Sequence, residues 1–171
     1  MAGVSEAGVG SEIATGLARH LARSAVPSGL LGVTDEKRFQ RWVAERGEQW
    51  LNRRHRGFWT KCEASGGGIA AVRAFGAGSW PDVAVGSEAS PTALAVEVKC
   101  LRKRGLPNRV AHALGQAVMY RELYDASLVV FAVVEEVRME VPSTLLARLA
   151  ENGIVVAVVR AWDAKGVDTG A

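Results

Sequence analysis

Cysteine is scarce in this chain. Only Cys62 and Cys100 occur among 171 residues, too few for a disulfide framework and not spaced as zinc ligands. Reduced thiols in a cytoplasmic protein are therefore the expectation. Histidine is equally thin: His20, His55 and His112 have no metal-like spacing between them, and none stands out as a catalytic base. No uninterrupted run of about 18 apolar residues occurs, which argues against a membrane span. The sequence does not open on a basic segment followed by a compact apolar block, so no secretory signal is expected. No internal repeat is evident, and a repeat architecture is not expected.

What is present has the composition of a globular protein. Apolar residues make up 49% of the chain, and its length suffices for one domain with a proper core. The net charge of +3 is small, but its distribution is uneven. Residues 37–61 carry eight Lys/Arg against two acids, and residues 99–109 carry five with no acid. The remainder is net acidic. Segregated positive charge suits a polyanionic partner, although solvated basic faces give the same count.

The hydrophobic pattern predicts a short helix from Ser11 or Glu12 to about Arg23, striped by Ile13, Leu17 and Leu21. Residues 1–10 read as mobile. Pro27-Ser28-Gly29 breaks the chain. A long helix, capped by Thr34 or Asp35, runs to about Arg54 with Phe39, Val43 and Trp50 as its stripe, Trp42 and Leu51 beside it, and Gly47 as a weak point. Strands are expected at 58–63, 69–75, 81–85 and 93–101, with turns at 65–68 and 77–79. A helix over 110–124, an apolar strand over 127–134, a helix from Pro142 to about Gly153 and an apolar strand over 154–159 complete the order. Helix, strands, helix, strand, helix, strand is the order of an α/β sandwich, with a central mixed β-sheet flanked by helices.

The segment from Ala93 to Cys100 carries the chemistry. Alternate strand residues share a face, so Leu94, Val96, Val98 and Cys100 form an apolar side, and Ala95, Glu97 and Lys99 the other. Glu97 and Lys99 then stand side by side, roughly 7 Å apart at their Cα atoms. Buried charges on a central strand are costly unless paired or given a ligand. Asp82-Val83-Ala84-Val85 has the same design, with Asp82 and Ala84 on one face. Two carboxylates on neighbouring strands repel, and a hard divalent cation with oxygen ligands resolves that repulsion. The Val98 carbonyl is a candidate third ligand. Lys99 would assist an attacking water or stabilise developing phosphorane charge. The plainer alternative is a Glu97–Lys99 ion pair on an edge strand, with Asp82 a turn residue after Pro81.

Pro81-Asp82, fourteen residues, then Glu97-Val98-Lys99 resembles the signature of the PD-(D/E)XK nuclease superfamily. That superfamily includes type II restriction enzymes, archaeal Holliday-junction resolvases and RecB-like nuclease domains. The stretch 71–84, with its Gly-Ser turn before Pro-Asp, is similar to the resolvase pattern. Gln116 and Tyr120, one helical turn apart, look like the Q-x-x-x-Y element of the RecB-like branch. Tyr120 as a core aromatic and Gln116 as a surface residue is the alternative. The likeness covers residues from about 36 to 135.

The resemblance implies a restriction-endonuclease-like sandwich and a Mg2+- or Mn2+-dependent endonuclease acting on DNA. Asp82, Glu97 and the Val98 carbonyl would hold the metal, Lys99 would assist the water, and Gln116 would orient Lys99 or a phosphate oxygen. Family members often add a helix acid. Glu36 is the candidate, with Glu45 and Glu12 as alternatives and a helix-end acid favoured by the macrodipole as the plainer reading. The RecB-like iron–sulfur cysteines are absent. Arg102, Lys103, Arg104, Arg109 and His112 are candidate phosphate contacts, as is the cluster Arg53, Arg54, His55 and Arg56. Trp59 and Trp80 are interface, stacking or core residues.

Resolvase relatives act as dimers, so a homodimer is one arrangement the resemblance allows. Domain bounds follow as 1–33 for an N-terminal extension, 34–162 for the nuclease domain and 163–171 for a flexible tail. The rival functions are a non-catalytic nucleic-acid-binding module of nuclease-like fold, and a protein-interaction subunit in which the pattern is accidental.

Overall fold

The computed structural model describes residues 7–66, 68–74, 77–137 and 140–162. The tail expected at 163–171 and the first six residues lie outside this set. Among the described residues no helix is long and apolar enough to cross a membrane.

Helix α1 spans Ala7–Arg23, so residues 7–10 are helical where the sequence pattern suggested a mobile segment. Its stripe of Ile13, Leu17 and Leu21 is fully buried in the main core. The segment read as an extension therefore shares the core of the remaining chain. Helix α2 spans Glu36–Arg54, and the Asp35 side chain caps it by accepting from Lys37 N at 3.0 Å, a contact typically worth about 1 kcal/mol. Residues 39, 43, 47 and 51 form its buried stripe, with Trp42 and Gln40 beside them. Gly47 does not interrupt the helix, because it faces the Leu17 methyls of α1.

Strands β1 (Trp59–Cys62), β4 (Val83–Gly86), β5 (Leu94–Leu101), β6 (Ala126–Val133) and β7 (Ile154–Arg160) form one sheet in the order β1-β4-β5-β6-β7. The first three pair antiparallel, and β5, β6 and β7 pair parallel. The protein is an α/β fold with a five-stranded mixed sheet and helices on its faces.

Of the expected strand over 69–75, residues 69–71 are irregular, Val72–Ala74 form β2, and Phe75 lies outside the described residues; the expected turn at 77–79 is a strand, β3 (Ala77–Ser79). Among the described residues the two pair only with each other. Ala-Gly-Ser has little strand propensity of its own, and pairing with β2 imposes the conformation. The other helix on the path, α3, spans Leu106–Tyr120 rather than 110–124. Pro107 occupies its first turn, where its missing N–H costs nothing. Gly105 precedes it at φ 75°, a conformation costly for other residues. Beyond Tyr120 the chain leaves the helix through a series of turn hydrogen bonds. Helix α4 spans Ser143–Glu151.

Alternation divides β5 as expected. Leu94, Val96, Val98 and Cys100 join the main core with α1 and α2. On the other face, Leu101 packs with Ala113, Ala117 and Phe131 beneath α3. Ala95 packs with Ala84, Tyr120 and Tyr124. Glu97 and Lys99 stand between these two apolar patches. The space left by the small residues Ala84 and Ala95 is filled by tyrosine rings.

Candidate functional site

Strands β4 and β5 pair with Val83 opposite Val96, Ala84 opposite Ala95 and Val85 opposite Leu94. Continuing that register by one residue sets Asp82 opposite Glu97. Directly opposed antiparallel residues share a face, with Cβ atoms about 4.5–5.5 Å apart. Both acids are buried, Asp82 at 9% and Glu97 at 2% exposure.

The strand β5 runs past the start of β4, leaving the N–H groups of Val98 and Cys100 beyond the paired register. Carboxylates satisfy them. Val98 N donates to Asp82 Oδ2 at 2.6 Å, and Cys100 N donates to Glu36 Oε1 at 3.2 Å. The other oxygen of Asp82 accepts from Gln40 Nε2 at 2.6 Å. Glu36 and Gln40 are four residues apart on α2, so one helix face serves both acceptor and donor roles.

Lys99 joins the acids. Its Nζ lies 3.3 Å from Glu97 Oε1 and 3.3 Å from Glu36 Oε2. Tyr120 Oη donates to Glu97 Oε2 at 2.9 Å and lies 2.9 Å from the Trp80 carbonyl. Gln116 Nε2 is 3.4 Å from Tyr120 Oη, so it bonds this hydroxyl rather than Lys99. Tyr120 is thus both core and site: its ring is buried, and its hydroxyl reaches the acid. Two amide oxygens beside the cluster, Gln40 Oε1 and Gln116 Oε1, are buried and meet no donor among the described residues.

Burial and the neighbouring Glu97 push Asp82 up from 3.8 to about 7, against the pull of the Val98 N–H. Burial likewise raises Glu97, opposed by Lys99 and the Tyr120 hydroxyl. For Lys99, burial acts downward, but Glu97 and Glu36 outweigh it and hold the ammonium above its usual value. The cluster therefore combines a fixed cation with carboxylates that resist ionisation together, an arrangement that clusters at functional sites.

A cleft of about 670 Å³ adjoins the cluster, lined by Glu36 and Lys99 with Arg102, Arg104, Arg109 and His112. Arg109 already bonds Glu36 Oε1 at 3.1 Å and the Cys100 carbonyl at 3.3 Å. Arg102 Nε is buried without a partner among the described residues. Lys103 is exposed and does not line this cleft; its backbone N–H bonds Glu135. Arg53 and Arg54 are at the far end of α2, 17 and 18 residues from Glu36, or about 27 Å along the axis. Glu45 and Arg56 are exposed, and Glu12 lines a different cleft between α1 and α2. Trp59 packs beside the Tyr120 cluster, while Trp80 is 51% exposed. No group of three or more His, Cys, Asp or Glu side chains forms a ready metal cage among the described residues.

Gln40 escaped the sequence reading. Its signal was a polar residue inside an apolar stripe, next to Phe39 and one helical turn from Glu36. The supporting part of Trp80 is its carbonyl, which no side-chain pattern marks. Comparison with protein-family models, curated proteins and solved structures finds no match to this chain.

Proposed function

We propose that this protein is a divalent-metal-dependent endonuclease that hydrolyses phosphodiester bonds in DNA, built on a restriction-endonuclease-like core of the PD-(D/E)XK type. The observation that carries the reading is the buried register pair Asp82 and Glu97, with Lys99 Nζ 3.3 Å from Glu97. The order α2, β1, β4, β5, α3, β6, with an antiparallel strand trio and a parallel fourth, supports the fold assignment.

The donor set suits Mg2+ or Mn2+. Such ions bind through one or two carboxylates and retain waters and substrate phosphates, without needing an all-protein cage. Two mutually repelling carboxylates whose protonation is favoured by burial gain a partner in a cation. The unpaired Gln40 and Gln116 oxygens are further acceptors for ion-bound water. Asp82, Glu97 and the Val98 carbonyl would hold the ion, which when bound supplies Lewis-acid polarisation of the phosphate and a more acidic water.

The chain's own groups then have separate tasks. The Val98 N–H and the Gln40 amide fix the Asp82 carboxylate. Tyr120 Oη holds Glu97 Oε2, leaving Oε1 beside Lys99. The Lys99 ammonium stays protonated and stabilises negative charge on the attacking oxygen and the pentavalent phosphorus. Glu36 holds Lys99 from the cleft side. Arg102, Arg104 and His112 offer phosphate contacts along the cleft.

Supercoiled plasmid and branched DNA should be cut with Mg2+ or Mn2+ and spared with a chelator. Lys99→Ala should lower the rate by about 100-fold or more, the usual cost of losing one stabilising charge. Intact DNA with the wild-type protein and metal, or undiminished cleavage by Lys99→Ala, defeats the proposal.

A further inference from the structure

A second basic region lies away from the acid pair. Helices α1 and α2 cross so closely that a Cβ on Gly16 would come within 2.5 Å of the Trp50 ring. Only a residue without a side chain lets the ring seat against α1. Two clefts open on either side of this contact, of about 780 and 380 Å³, and both are lined by Gly16, Arg19, Trp50 and Arg54. Arg53 and His20 add to the smaller cleft, and His55 to the larger.

The positive charge is unmatched. Arg19, Arg53 and Arg54 are exposed, and no ion pair involving them occurs among the described residues. One acid, Glu12, lines the larger cleft, and the lining of the smaller one holds none. His20 Nε2 is buried and meets no partner among the described residues. Burial lowers its pKa first, and Arg53 and Arg46 lower it further, the mark of a local positive field. Trp50 is half-buried, with the His55 ring 5.0 Å away at the centroids.

A flat ring framed by uncompensated arginines is the chemistry that holds single-stranded nucleic acid: bases stack on the aromatic, and the backbone follows the charge. We infer that the α1–α2 groove is a second nucleic-acid site, in which a single strand stacks on Trp50 and sets its phosphates on Arg19, Arg53 and Arg54. The groove adds a contact about 27 Å from Glu36 along α2, too far for one phosphate to serve both. It goes beyond the proposed cleavage chemistry and does not require it.

The test is binding of a fluorescent oligothymidylate to the full chain with chelator present, so that absent cleavage has no bearing on the outcome. The triple variant Arg19→Ala, Arg53→Ala, Arg54→Ala should bind about tenfold or more weakly. Its slope of log affinity against log salt should be shallower by about two, at roughly 0.7 per phosphate contact on a single strand. These side chains are exposed, so the fold is kept. Trp50→Phe preserves the ring packing and should abolish most of the tryptophan quenching that the oligothymidylate causes in the wild type. Inorganic polyphosphate should produce little quenching in either protein. A triple variant binding within about twofold of wild type overturns the inference, as does quenching that persists in Trp50→Phe or that polyphosphate reproduces.

Discussion

Replacing Asp82 by asparagine should make the metal-free protein more stable at neutral and alkaline pH while removing its response to metal. Asp82 is 9% exposed, so solvent screens it little. Its folded value of about 7 stands above the ordinary 3.8. A raised value means that the stabilising contribution is complete below about pH 4 and is lost as pH rises through 7. At 1.36 kcal/mol per pH unit, the ionised folded form costs on the order of 4 kcal/mol above pH 7.

Asparagine avoids that cost and fits the same donors. Its oxygen accepts from the Val98 N–H, and its amide donates to Gln40 Oε1 once the Gln40 amide turns over. That oxygen is buried and has no donor at present among the described residues. A gain of about 2–4 kcal/mol corresponds to a Tm increase of about 4–16 °C in a chain of this size. The assay is thermal melting of both proteins in chelator from pH 5 to pH 8.5, repeated with Mg2+. The gap should be small at pH 5 and widen toward pH 8, and Mg2+ should raise only the wild-type Tm. An asparagine variant less stable than wild type at pH 8, or a gap independent of pH, would show that the Asp82 charge does not destabilise the metal-free fold. Asp82 would then be a structural acceptor whose charge helps the fold.

Two further outcomes follow from the same geometry. Tyr120→Phe removes the hydroxyl that bonds Glu97 and the Trp80 carbonyl; urea melts should show a loss of about 1–3 kcal/mol. Because that hydroxyl helps hold Glu97 down, the pH midpoint for metal-dependent activity should also move upward. Both cysteines are buried, and burial raises Cys100 to about 12. At pH 8 its thiol is protonated, so a thiol reagent should label it only as fast as the protein opens, and prompt labelling of the native protein would contradict its burial.

The alternation in β5 was readable because a strand with one wholly apolar face and charges on the other has only one register that puts its apolar set in the main core. The helical period made the α2 stripe visible, and an unbroken apolar run marked β6 as a strand covered on both faces. The contacts that complete the site were not readable, because each joins residues far apart in the chain. Gln40 meets Asp82 across 42 positions, and Glu36 meets Lys99 across 63. The resemblance suggested Glu36, but its bonds to Lys99, Cys100 and Arg109 depend on where α2 lies over the sheet. The β3 strand was missed because Ala-Gly-Ser reads as a turn, and only its pairing with β2 makes it extended. Arg53 and Arg54 were grouped with the loop arginines on charge alone. The length of α2 separates them, and their neighbours prove to be Trp50 and Arg19.

The proposed chemistry depends on Asp82 and Glu97 sharing one divalent cation. The most direct measurement is the anomalous difference map of a crystal soaked in Mn2+. One strong peak should appear, with an oxygen of Asp82 and an oxygen of Glu97 each within about 2.0–2.3 Å, the distance range of small divalent ions. The same peak should vanish in Asp82→Asn. A crystal without a peak there at saturating Mn2+, with Lys99 still bonded to Glu97 and both acids in place, would contradict it.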